Sequence, residues 1–89
     1  MKCALITNPK KYEVQQVLQQ TLVWAQDKEV HCYIDEQTAE SLNVIETGGL
    51  HFCQGDTAAI EASDLLIVIG GDGTLLYAAR LARGLEKPI

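Results

Sequence analysis

Between residues 70 and 74 the chain reads Gly-Gly-Asp-Gly-Thr, directly after five apolar residues, Leu65 to Ile69, and directly before a stretch with helical spacing. A glycine turn that ends a strand and opens a helix is a ready anion site, because the first turn presents free N–H groups and partial positive charge. Yet the turn is neither a P-loop, which needs a lysine after its last glycine, nor a G-x-G-x-x-G dinucleotide fingerprint. Asp72 also puts a negative charge where a phosphate-binding loop would avoid one. A carboxylate only accepts hydrogen bonds, so it suits a hydroxyl that meets a phosphate. That is the geometry of a kinase acting on a sugar-like hydroxyl: Asp72 orients and deprotonates the nucleophile, and the glycine backbone lets the phosphate chain come close. The same residues also read as an aspartate N-cap on a tight strand-to-helix turn.

The elements around the turn must hold it at a strand end. Leu65 to Ile69 is apolar at every position, as expected of a strand covered on both faces. After the turn, Leu75, Ala78, Ala79 and Ala82 fall on one helical face. Arg80 and Arg83 suit the negative end of the helix dipole, and Gly84 can terminate the helix in the left-handed conformation. Upstream, residues 2 to 8, KCALITN, form a strand that ends at Asn8-Pro9. Val14, Val17, Leu18, Leu22 and Ala25 then mark one face of a helix from Tyr12 to about Gln26; Trp24 falls off the stripe and is expected to pack at the helix end, the alternative being a contact surface. Residues 29 to 34 form a second strand, and Asp35 caps a short helix through Leu42.

Residues 43 to 56 show no sustained period and contain three glycines, which predicts a loop in which Gly48-Gly49 is a simple turn. Asp56 is then expected to cap a short helix over 57 to 63. Parallel strands joined by right-handed helical crossovers make an open α/β sheet of three layers, Rossmann-like, with strand order 2-1-3. The ligand crevice belongs at the carboxyl ends of the strands, where Gly70 to Thr74 lie. Lys87-Pro88-Ile89 reads as the opening of a fourth strand cut short.

Composition narrows the partners. With 89 residues, 47% of them apolar, and a net charge of −5, the chain fits one small acidic α/β domain or part of a larger protein. Nucleic acid and anionic membranes repel such a surface, and no apolar run reaches the ~18 residues needed to span a bilayer. Neither partner is expected, and the protein reads as cytoplasmic. Cys3 and Cys32 read as small core hydrophobes, whereas Cys53, in the expected loop, reads as exposed and oxidisable. His31 and His51 lack a third partner at ligand spacing, so no metal-ligating set is expected.

GGDGTLLYAARLA after DLLIVI, with ITNPKK at the first strand end and DEQTAESL after the second, resembles the N-terminal domain of NAD kinases over essentially the whole chain. The GGDGT core is shared with diacylglycerol- and sphingosine-type lipid kinases and, more loosely, with phosphofructokinases. Lipid kinases usually continue with an Asn-Glu-Val-like segment, so Leu75-Leu76 and Ala78-Ala79-Arg80 favour the NAD-kinase pattern. The resemblance implies phosphorylation of the adenosine-ribose 2′-hydroxyl of NAD to give NADP, with ATP or polyphosphate as donor and a divalent metal, magnesium foremost. It makes Asp72 the proton acceptor, lets Gly73 admit the dinucleotide, and has Gly70, Gly71 and Thr74 shape the turn. Tyr77 stands where many members carry a basic residue near the ligand, and Asn8 and Lys10 lie at the neighbouring strand end.

The family's second, β-rich domain and its Asn-Glu motif are absent from these residues. The resemblance therefore implies that residues 1–89 are the N-terminal domain of a longer, homo-oligomeric kinase and are inactive alone. The alternatives are a lipid or sugar-alcohol kinase and a noncatalytic α/β assembly module.

Overall fold

The structure is a computed structural model that describes residues 1–10 and 13–89. The start of the first helix at Tyr12, together with Lys11 of the ITNPKK segment, lies outside the described residues. Eight elements follow in order: β1 (Lys2–Thr7), α1 (Val14–Asp27), β2 (His31–Asp35), α2 (Glu36–Ser41), β3 (Leu50–Cys53), α3 (Asp56–Glu61), β4 (Leu65–Ile69) and α4 (Asp72–Gly84). The four strands form one sheet in the order β3-β2-β1-β4, with all three pairings parallel.

Alternation along the strands divides the core into two layers. Cys3, Leu5, Cys32 and Ile34 pack with Val14, Leu18 and Ala25 of α1 and with Ala39 of α2. Ala4, Ile6 and Leu66 pack on the opposite face with Ala59 and Ile60 of α3 and Ala78 and Ala82 of α4. Connection handedness explains the division. The chain moves outward from β1 to β2 to β3, so right-handed crossovers lay α1 and α2 on one face; it then returns across the sheet to β4, which puts α3 on the other. The result is the expected three-layer α/β sheet. The three strands read from the sequence, here β2, β1 and β4, stand in the expected order.

Several local expectations are corrected. Residues 43 to 56 contain β3, an edge strand four residues long, whose register pairs Cys32 with Leu50 and Asp35 with Cys53. The alternation of Leu50 and Phe52 with His51 and Cys53 is too short to register as a period. Pairing to β2, not propensity, makes it a strand. Within the same segment Gly48-Gly49 is the simple turn expected. Cys53 therefore ends a strand, half-buried, and burial pushes its thiol up, with the nearby Asp35 and Glu46 charges adding to the shift. A raised pKa leaves less thiolate to oxidise. Trp24 is 47% exposed, so it is not enclosed in the core at the end of α1. β4 is half-buried at Leu65, Ile67 and Val68 and lies at the end of the strand order. On its outer side Leu66 N donates to Pro88 O, near the end of the chain, at 2.9 Å.

The helix ends supply a further correction. Gly84 stays inside α4, and the left-handed position belongs to Glu86 at φ 56°. Glu86 N donates to Arg83 O and Lys87 N to Ala82 O, the paired bonds of a Schellman ending. Glu29 after α1 and Asn43 after α2 repeat the pattern: Val30 N donates to Ala25 O at 2.8 Å and Val44 N to Ala39 O at 3.0 Å. In both, two buried apolar side chains, Val30 with Ala25 and Val44 with Ala39, close the turn onto the core.

Candidate functional site

The strand order reverses at β1: β2 and β3 lie to one side of it and β4 to the other. Connections leaving neighbouring strands toward opposite faces open a crevice at their carboxyl ends, which is where open α/β sheets bind ligands. Here those strands are β1 and β4, and the register pairing Thr7 with Ile69 ends them together. Thr7, Asn8 and Pro9 consequently face Gly71, Asp72, Gly73, Thr74 and Tyr77 across an open groove of about 520 Å³. Gly71, Asp72, Gly73, Thr74, Tyr77 and Asn8 of the residues singled out in the sequence line it; Gly70 and Lys10 do not.

Local chemistry builds each wall. Asn8 Oδ1 accepts a hydrogen bond from Lys10 N at 3.1 Å, an Asx turn that swings the chain away from the strand end. On the other side Gly70 sits at φ 159°, and an added Cβ there would lie 2.6 Å from Thr74 Oγ1 and 2.8 Å from Thr74 Cβ. Gly70 and Thr74 are thus a matched pair: the threonine occupies the space that the glycine leaves empty. Gly71 is the N-cap of α4 and has no side chain to cap with, so Asp72 is the first helical residue and not the cap. The N–H groups of the first turn remain free, and the exposed carboxylate of Asp72 stands at the helix's positive end.

Two features of the groove were not read from the sequence. Thr7 Oγ1 is, among the described residues, the one buried side-chain polar atom with no hydrogen-bond partner. Nothing in the sequence separates it from an ordinary strand threonine. Tyr77, 46% exposed, donates from its hydroxyl to Asp56 Oδ2 at 2.7 Å. Asp56, expected to cap α3, instead follows the N-cap Gly55 and turns its carboxylate to Tyr77. The bond to Asp56, with lesser help from burial, pushes the phenol up to about 12. Burial raises the Asp56 carboxyl above its usual range, which the Tyr77 bond opposes and the Asp35 charge reinforces.

The chain matches the model of the ATP-NAD kinase N-terminal domain over residues 3–89. It belongs to that family. Among curated relatives it is 29% identical to the NAD kinase of Solibacter usitatus over 96% of the chain and 28% of the relative's length. It is 30% identical to the NAD kinase of a Thermoanaerobacter species over 99% of the chain and 29% of the relative. A shorter stretch of 52 residues is 44% identical to the NAD kinase of Halobacterium salinarum, covering 58% of the chain and 17% of the relative. The chain spans less than a third of the length of these relatives. No solved structure matches it.

The remaining candidates lie elsewhere. His31 Nδ1 and His51 Nε2 are 3.0 Å apart, with His51 stacked between His31 and Tyr33. No group of three or more histidine, cysteine, aspartate or glutamate side chains suited to a metal forms among the described residues. None of the described helices is long and apolar enough to cross a membrane.

Proposed function

We propose that these residues are the N-terminal domain of an NAD kinase, contributing the acceptor side of a cleft that a further domain completes, and that they are inactive alone. The observation that carries the reading is the groove at the end of β1 and β4, where the exposed carboxylate of Asp72 stands at a helix N-terminus.

In this reading Asp72 accepts the hydrogen bond of the adenosine-ribose 2′-hydroxyl of NAD. As the ribose oxygen bonds to the terminal phosphorus of ATP, the proton passes to Asp72, the bridging P–O bond breaks, and ADP leaves. The free N–H groups of α4 and the open backbone at Gly73 face the phosphates, with Gly71 and Thr74 setting the turn. Asp72 is the one carboxylate among the described groove residues, so those residues offer no cage for a divalent ion. The divalent metal, magnesium, would enter as part of the ATP substrate, and polyphosphate would serve as donor by the same chemistry. Exposed Val17 and Trp24, seven residues apart on one face of α1, support a homo-oligomer. The acidic charge and the absence of a long apolar helix among the described residues support a cytoplasmic protein.

The test is phosphate transfer from ATP and magnesium by the complete protein encoded by the reading frame that contains this chain. NADP should form, whereas diacylglycerol and sphingosine should not react. Transfer to a lipid alcohol instead would move the protein to the lipid-kinase branch, and nucleotide binding without transfer would leave a noncatalytic module.

A further inference from the structure

Outside the turn itself, the best-built polar contact of the groove joins two helices that the sequence separates by 21 residues. Tyr77 reaches from the second turn of α4 to Asp56 in the first turn of α3. Asp56 is held in turn by its neighbour: Gly55 N donates to Asp35 Oδ1 at 2.9 Å, while Asp35 Oδ2 accepts from Thr38 N at 3.1 Å and Thr38 Oγ1 at 3.0 Å. The start of α3 is thereby tied to the start of α2, and Asp56 has a fixed place from which to hold the phenol.

A tyrosine hydroxyl has one proton to give and two lone pairs. The 2.7 Å contact, at the short end for a hydroxyl bonded to an oxygen acceptor, commits that proton to Asp56. We propose that Asp56 is a positioning residue of the groove: by taking the proton of Tyr77, it leaves the phenolic oxygen able only to accept, so that Tyr77 selects a hydrogen-bond donor of the bound nucleotide, a sugar hydroxyl or the adenine amino group, and turns phosphate oxygens away. This rests on the nucleotide reading above and deepens it. A basic side chain at position 77 would do the reverse and attract phosphate. Two acceptor groups, Asp72 and Tyr77, thus mark the α4 wall as the hydroxyl side of the groove. The phosphates are left to the turn's N–H groups.

The arrangement is costly as mere scaffolding. Burial raises the Asp56 carboxyl, so its ionised form is disfavoured by folding at neutral pH, and an asparagine of the same shape would avoid that cost.

Two isosteric variants, Tyr77→Phe and Asp56→Asn, and their combination test the proposal. The first measurement needs no ligand. In the 89-residue chain, with its three tyrosines, absorbance titration should show one phenol near 12, and Asp56→Asn should bring it down toward ~10. A phenol that stays high without Asp56, or none that is high with it, overturns the contact. The second uses the complete protein. Tyr77→Phe should raise KM for NAD about fivefold with kcat kept within a factor of two, the signature of one lost uniform hydrogen bond. Asp56→Asn should also raise KM, and the double variant should be no worse than Tyr77→Phe, because Asp56 acts through the phenol.

Additive effects, or an unchanged KM in Tyr77→Phe, overturn the selection role. Nicotinamide hypoxanthine dinucleotide, which lacks the adenine amino group, separates the two donors: a fivefold effect that persists assigns a sugar hydroxyl, and one that vanishes assigns the amine. Complete protein that neither binds nor phosphorylates NAD defeats the nucleotide reading, and the selection role with it, while the titration still decides the contact between Asp56 and Tyr77.

Discussion

Gly73→Ala should raise thermal stability and weaken NAD binding at once, two effects of opposite sign from one methyl group. Gly73 is the second residue of α4, and an added Cβ would meet nothing within 4 Å. Alanine in a helix is favoured over glycine by about 0.5–1 kcal/mol, part of it from the less flexible unfolded chain. In a domain of this size that corresponds to a rise in Tm of roughly 2–8 °C. The same open space belongs to the groove that Gly73 lines, so the methyl group should meet the dinucleotide and cost at least tenfold in affinity, or ~1.4 kcal/mol. Gly70→Ala is the contrasting substitution. Its Cβ would lie 2.6 Å from Thr74 Oγ1, so it should lower Tm whatever the ligand does. Calorimetric melting of the 89-residue chain and NAD titration of the complete protein measure the two effects of Gly73→Ala. If affinity is unchanged while stability rises, the ligand does not approach Gly73 and the groove is not the nucleotide site. If stability and affinity fall together, the glycine is structural.

In the complete protein Asp72→Asn should fold normally, bind NAD within a few-fold and lose at least a hundredfold in turnover, as expected when a proton acceptor is removed; retained turnover in a coupled NADP assay would take Asp72 out of catalysis. Glu29→Gly and Glu86→Gly should each stabilise the chain by about 0.5–1 kcal/mol, since both residues hold a left-handed conformation that disfavours a side chain; a lower urea midpoint in either would contradict the helix endings described. The raised phenol of Tyr77 means that the folded chain holds this proton more tightly than the unfolded one. The stability it gives is complete below about pH 10 and is lost as pH rises toward 12, and Asp56→Asn should flatten that loss in urea melts across this range.

Much of the fold was legible because two strong patterns agreed. The unbroken apolar run of Leu65 to Ile69 and the three- and four-residue spacing of Val14, Leu18 and Ala25 each require burial, and short connections allow few ways to provide it. β3 escaped because four residues carry little periodic signal and the strand is stabilised by its neighbour. The helix endings escaped for a related reason. Glycine is the usual left-handed residue, but here Val30 on Ala25 and Val44 on Ala39 hold the turns, and the core contact outweighs the strain at Glu29 and Asn43. At the site, the turn and its carboxylate were legible as a local motif. Asp56 and Thr7 were not, because one depends on a contact across 21 residues and the other on the burial of a single atom.

The groove's two walls come from Thr7 to Pro9 and from Gly71 to Tyr77, more than sixty residues apart, and only the pairing of β1 with β4 brings them together. That pairing is fixed by burial on both faces. Ala4 and Ile6 look toward α3 and α4, whereas Cys3 and Leu5 look toward α1, so a slip of one residue would turn each set into the wrong layer. The small side chains sharpen the constraint, since Ala4, Ala78 and Ala82 are all buried in the layer beneath α4 and leave a longer side chain no room there. The position of Asp72 relative to Thr7 is therefore set by buried residues outside the groove. The turn itself is free to keep an exposed carboxylate and an unfilled space at Gly73, which contribute little to folding.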